Sequence, residues 1–183
     1  MLAYVFWHWR TTHAEQSTYQ ESLISFHKAL REQQPAGFQY SIVFRLERAP
    51  WLGRDKDTYE EWYLVESFAA LGVLNEAAVS GLCKEPHHQV AKDAAGGAGG
   101  IYRLWLGEPG LATAQVALWF AKPDGMSYEQ LRAQPEIASA AGSIWQRQMT
   151  LGPTAEFCWH SPHGHSLPKV FEQVTRVNIS RLF

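Results

Sequence analysis

The sequence predicts an α+β chain in which one strand–helix–strand arrangement is used twice. Residues 2–10 (LAYVFWHWR) and 113–122 (TAQVALWFAK) both read as strands rich in aromatic side chains. Each is followed by a capping-box signature, Thr18-Tyr19-Gln20-Glu21 in the first case and Ser127-Tyr128-Glu129-Gln130 in the second. In that signature the hydroxyl and the fourth side chain satisfy backbone N–H groups that a helix start leaves unpaired. Each helix leads on to another strand.

In the first strand, Leu2, Tyr4, Phe6, His8 and Arg10 share one face, and Ala3, Val5, Trp7 and Trp9 share the other. Both faces are largely apolar, which suits a strand covered on both sides. The helix after it carries Tyr19, Leu23, Phe26 and Leu30 as a stripe, flanked by Ile24 and His27, and Pro35-Ala36-Gly37 ends it. Residues 38–47 alternate as a strand with a strongly apolar face. Ala49-Pro50-Trp51-Leu52-Gly53 and Arg54-Asp55-Lys56-Asp57 read as a loop. Residues 62–67 form the third strand, and Ser67 caps a helix whose Phe68, Leu71, Leu74 and Ala78 face one way. Pro86 suits the first turn of a further short helix. The glycine run 96–100 reads as a flexible connector to a fourth strand, 101–106. The resulting order, β-α-β-β-α-β, is the ferredoxin-like arrangement.

The second half starts the same way. Pro135 breaks and restarts its helix, which continues through Ile137, Ala141, Ile144 or Trp145, and Met149. Strands follow at 155–160 and 171–183. The second helix and fourth strand of the motif are absent, so the expected units are a ferredoxin-like repeat over 1–110 and a shortened one over 111–183. They pack as one body.

Composition narrows the function classes. The 183-residue chain is 46% hydrophobic, long enough to bury a core, and its 8 Trp, 9 Phe and 7 Tyr can fill that core, line a pocket or build an interface. A net charge of −2 with no basic run argues against a nucleic-acid partner. No apolar run approaches the roughly 18 residues of a membrane span, and no Lys or Arg precedes the apolar start as in a signal peptide. Cys83 and Cys158 lack metal-ligand spacing, and two cysteines make no disulfide framework, so the expected setting is reducing and cytoplasmic.

The polar residues on strands supply the candidate site. His8, Arg10, Arg45 and Arg103, with Glu66, would make a cationic pocket walled by Tyr4, Tyr63 and Trp105 if they converge. His8 would act as the general base, with Tyr4, Phe6, Arg45, Arg103 and Trp105 holding the substrate. The competing reading sends the arginines to solvent or to Glu47, Glu66 and Glu108. His160, His163 and His165 form the densest histidine cluster, but no acidic or thiol partner has diagnostic spacing, so no metal is assigned. His87-His88, as neighbours on a helix, do not face the same way. His27 borders the apolar stripe, which favours a packed histidine with one backbone partner over an axial haem ligand. No nucleophile elbow occurs, and both thiols read as structural. Trp51-Leu52 either caps a pocket, joins an interface or folds back on the core.

Two ferredoxin-like halves with aromatic first strands resemble the dimeric α/β-barrel superfamily in a fused form. That group includes antibiotic-biosynthesis monooxygenases, EthD-like and NIPSNAP-like proteins, and haem-binding chlorite dismutase relatives. The resemblance implies two sheets meeting face to face, with ligands between sheet and helices or inside the barrel. It carries over no catalytic residue. Three functional readings follow: a small-molecule-binding protein acting without a cofactor as an oxygenase, cyclase or isomerase on an apolar or aromatic compound; a ligand carrier or oligomerising module; and a haem or metal protein. Fusion would replace dimerisation, with homo-oligomer formation on another surface left open.

Overall fold

Strand β1 (Leu2–Arg10) is the centre of the first half because both its edges are paired, to β3 (Thr58–Val65) and to β4 (Ala94–Gly107). The computed structural model describes residues 1–53, 57–164 and 166–183. Strands β2 (Phe38–Leu46), β5 (Val116–Phe120), β6 (Ser143–Gln148), β7 (Phe157–Ser161) and β8 (Thr175–Arg181) complete a closed barrel. Its order is β1-β3-β2-β8-β5-β7-β6-β4, with every neighbouring pair antiparallel. Helices α1 (Gln16–Gln33), α2 (Phe68–Ala78) and α3 (Lys84–Asp93) accompany the first four strands. The short α4 (Tyr128–Arg132) and α5 (Pro135–Ala138) accompany the rest. Among the described residues no helix is long and apolar enough to cross a membrane.

Alternation along each strand sorts the aromatic load. The interior takes Ala3, Val5 and Trp7 from β1, Trp62 and Leu64 from β3, and Trp119, Trp145 and Cys158 from the second half, all essentially inaccessible. Trp7 meets Trp119 edge-on at 5.6 Å, and Trp62 lies 5.3 Å from Trp145. Trp51 folds back on this core, with its ring 5.3 Å from that of Trp119. The outer faces pack against helices: Leu2, Tyr63 and Val65 with Phe26, Leu30 and Leu74 in one half, and Val116, Leu118, Phe120 and Phe157 with Leu131 and Ile137 in the other.

Several elements differ from expectation. The glycine run is not a connector but part of the first half of β4, paired with residues 5–9 of β1. It forms a strand because β1 brings large rings over it: a β-carbon at Gly97 would fall 2.5 Å from Phe6 Cζ, and one at Gly96 would fall 2.6 Å from the Trp9 ring. Ile144 and Trp145 lie on β6, not on a continued helix, since α5 ends at Ala138 and Gly142 turns the chain with φ of 98°. β6 is a strand that the expected shortened second repeat lacks, and in the barrel β8, β5, β7 and β6 are neighbours, as are β4, β1, β3 and β2. β3 begins at Thr58, four residues earlier than expected. Ser127 and Gln130 form the expected capping box, and Ser67 caps α2 through the Ala70 N–H. Thr18 does not cap α1, whose N-cap is Glu15 without a side-chain bond. Arg54, Asp55 and Lys56 of the expected loop, and His165 of the histidine cluster, lie outside the described residues.

Candidate functional site

Glu61 is the organising residue. β3 lies between β1 and β2, and all eight of its residues are buried, so its two adjacent glutamates point to opposite sides of a covered sheet. Glu61 opposes Phe6 on β1 and Val43 on β2, which turns it outward to the helices. There its carboxylate lies between two imidazoles. His27 on α1 bonds Glu61 Oε2 through Nε2 at 2.6 Å, and His8 on β1 places Nε2 2.5 Å from Oε1, an ion-pair contact outside hydrogen-bond angles. Tyr63 donates its phenolic proton to the same carboxylate. The other ring nitrogens are also engaged, His8 Nδ1 with the Tyr19 hydroxyl at 2.7 Å and His27 Nδ1 with Ser41 Oγ at 2.6 Å. The result is one buried chain, Tyr19–His8–Glu61–His27–Ser41.

The electrostatics of this chain are set by competition. Burial alone would raise the Glu61 pKa, but the charge and hydrogen bonds of His8 and His27 more than reverse it and hold the group well below the usual carboxylate range. Each Nε2 faces the carboxylate, and in the neutral tautomer protonated there each Nδ1 accepts, from Tyr19 and Ser41 respectively. The surrounding phenols are shifted the other way. Burial, then the Glu61 charge, raises Tyr4, Tyr19 and Tyr63 above the ordinary tyrosine value and keeps them protonated.

The chain borders a cleft of about 970 Å³ between the sheet and the three helices of the first half. Tyr4, Phe6, His8 and Glu61 line its floor. The wall includes Leu71 and Leu74 of α2, and His87, Val90 and Ala91 of α3, at one helical face's spacing. The cleft owes its depth to β4, where Gly97 and Gly99 lie on the floor beside His8 and Phe6 and carry no side chains.

Of the residues expected at the site, the structure brings together Tyr4, Phe6 and His8, with Tyr63. Arg45 and Arg103 are exposed and do not line the cleft, so the cationic pocket does not form. Trp105 belongs to the second half's outer cluster, where its ring lies 5.1 Å from Phe157. Arg10 pairs with Asp57 at 3.2 Å, and Glu66 accepts from Gln39. His160 points into the barrel, 3.6 Å from Glu60, while His163 is exposed; among the described residues no group of three or more His, Cys, Asp or Glu is arranged to hold a metal ion. His27 has two side-chain partners and not one backbone partner. With both nitrogens so engaged it does not fit an axial haem ligand. Both cysteines are buried and free, and burial pushes their thiols up.

Glu61, Tyr19 and Ser41 were not singled out from the sequence as site residues. The one available signal was the pair Glu60-Glu61 directly before the apolar run Trp62-Tyr63-Leu64-Val65. Extending the strand backwards would have buried both.

No family model matches the chain, and no curated protein matches it. Among solved structures it is similar to a "putative monooxygenase" from Lactobacillus acidophilus NCFM, with a TM-score of 0.59 at 9% identity over 100% of this chain and 94% of that one. It is also similar to a "putative chlorite dismutase", with a TM-score of 0.51 at 11% identity over 100% of this chain and 96% of the other. At these identities the likeness is one of fold alone.

Proposed function

We propose that the chain binds an apolar or aromatic small molecule in the cleft and moves a proton on it through Tyr19 and His8, acting without a cofactor as an oxygenase, cyclase or isomerase. The carrying observation is the buried Tyr19–His8–Glu61 chain at the floor of an aromatic cleft. Tyr19 is held as a neutral phenol, so it cannot keep a substrate's proton by becoming phenolate first. It can pass one on: the substrate's proton goes to Tyr19 Oη as the Tyr19 proton moves to His8 Nδ1. The electron pair stays on the substrate as an enolate or phenolate. The imidazolium formed faces the Glu61 carboxylate, which stabilises it, and His27 and Ser41 fix that carboxylate in place. Return of the proton to another atom completes an isomerisation or cyclisation.

The strand order supports reading the chain as two fused ferredoxin-like halves, 1–110 and 111–183, closing one barrel. Only the first half has the three helices that build the cleft.

The test is hydrogen–deuterium exchange at the carbon acid 2-indanone, followed by NMR. The protein should accelerate exchange saturably, and Tyr19→Phe and His8→Asn should each lower the rate about 10²- to 10⁴-fold while the fold is kept. Saturable binding with no acceleration would overturn proton transfer in favour of a carrier. One observation favours that second reading: every imidazole nitrogen in the chain already has a protein partner.

A further inference from the structure

Loss of a proton from carbon leaves negative charge on the substrate, and this cleft has no fixed cation to meet it. Glu61 is already anionic beside it, and among the described residues no lysine or arginine lines the cleft. Geometry restricts where a donor to that charge can stand. The C–H bond that breaks must lie perpendicular to the carbonyl plane, so that its electron pair can enter the carbonyl π system, whereas the oxygen's lone pairs lie in that plane. With the proton taken at the floor, the donor to the oxygen belongs in the wall. Outside the floor and the Glu61 network, three lining side chains carry a polar donor: Asn75, His87 and Thr150. The Asn75 amide is exposed and turned to Glu76 at 3.4 Å, and the Thr150 hydroxyl is buried out of solvent's reach. His87 is half-buried on α3, while its neighbour His88 is exposed. Its ring packs edge-on against Phe26 at 5.6 Å, which holds the imidazole without occupying a nitrogen. Unlike His8 and His27, it has no hydrogen bond or ion pair among the described residues.

We infer that His87 is a second catalytic residue, the hydrogen-bond donor to the substrate's oxyanion, and that the substrate class is an enolisable ketone. The inference rests on the proton transfer proposed above and adds the fate of the electron pair. The C–H bond breaks, its proton goes to Tyr19 Oη as the Tyr19 proton moves to His8 Nδ1, and the electron pair moves onto the carbonyl oxygen. His87 keeps its own proton and donates an N–H to that oxygen, which an imidazole can do in either charge state. The role is the one expected of Arg45 and Arg103, which the fold places outside the cleft. Base and donor come from different elements, β1 with α1 on one side of the ligand and α3 on the other. Each can therefore be removed without removing the other.

Two variants separate the donor from its packing. His87→Leu keeps an apolar contact with Phe26 and removes the N–H, whereas His87→Gln keeps an N–H donor. Exchange at 2-indanone should fall about 10²- to 10³-fold in His87→Leu, as for loss of one oxyanion donor, with the Michaelis constant little changed, and His87→Gln should recover much of it. Binding is read without turnover using 4-nitrophenol, whose ionised form stands in for the oxyanion and is distinguished by its absorbance, in buffer that half-ionises it. Wild type should bind the phenolate about 10- to 100-fold more tightly than the neutral phenol. His87→Leu should lose that preference and His87→Gln should keep it. Equal binding of the two forms by wild type, binding of neither, or an unchanged preference in His87→Leu would overturn the donor. Exchange that proceeds equally well in His87→Leu would sink the donor and leave Tyr19 and His8 standing. A phenolate preference that depends on His87, in a protein that accelerates no exchange, would sink the proton transfer and keep the donor.

Discussion

Glu60 and Glu61 are neighbours in sequence and solve the problem of a buried carboxylate differently. Glu61 is surrounded by imidazoles and a phenol, whereas Glu60, inside the barrel, accepts from Trp7 Nε1 at 2.6 Å on one oxygen and Trp62 Nε1 at 2.7 Å on the other. Because both oxygens are acceptors, Glu60→Gln must turn an amide N–H₂ towards an indole N–H. That leaves a buried donor facing a donor, and the variant should lose about 1–3 kcal/mol by urea unfolding. Glu61 predicts a pH effect with a definite sign. Its folded pKa is depressed from the ordinary 4.5, so its contribution to stability is complete above that value and is lost as pH falls below it. Unfolding of the wild type at pH 7 and below 4.5 should show this loss, and Glu61→Gln should show a smaller difference between the two conditions. An equal difference in both proteins would mean that other groups govern the acid limb.

At the scale of elements, what the sequence revealed depended on whether local chemistry or a distant partner decides the structure. Ser127 caps α4 by a bond made three residues away, and the pattern sufficed to find it. The same pattern at Thr18 misled, because α1 begins at Gln16 and takes Thr18 into its exposed first turn. Ser127→Ala should therefore cost about 1 kcal/mol, whereas Thr18→Ala should stay within about 0.5 kcal/mol, as thermal unfolding of the two variants would show. β4 and β6 depend on distant partners. A glycine run has no strand propensity of its own and forms one only beneath the rings of β1. Ile144 and Trp145 fall at helical spacing from Ile137, yet Trp145 belongs against Trp62, which no local pattern contains. The site divides in the same manner. Tyr4, Phe6 and His8 share a face by strand alternation alone, so they were legible together. Arg45 and Arg103 also lie on strands, but alternation does not say where a face opens into a cleft. Glu61 was hidden because its burial depends on two imidazoles from other elements, His8 of β1 and His27 of α1.

For the whole molecule, closure of the barrel decides how far the halves are independent. The seam between β2 and β8 has three residue pairs, Phe44 with Arg181, Arg45 with Ser180, and Leu46 with Ile179, extended by one backbone bond at each end, Glu47 N–H to the Asn178 carbonyl and Leu182 N–H to the Val43 carbonyl. Backbone pairing there is a weak bond between halves, and the other seam, β4 with β6, is interrupted by a register shift between Leu104 and Leu106. The interior is a different matter. Trp7 and Trp62 from the first half interleave with Trp119 and Trp145 from the second, so each half alone would expose a face of indole rings that the intact barrel buries. Exposure of such a surface outweighs two imperfect seams, since each ring buries on the order of 150–250 Å². Fragments 1–110 and 111–183, produced separately, should thus lack cooperative unfolding and bind a hydrophobic dye. When mixed, they should recover the near-ultraviolet circular dichroism of packed tryptophans. If fragment 1–110 unfolds cooperatively by itself, the shared interior is not what holds its four strands and three helices together, and the cleft could then be studied on that fragment alone.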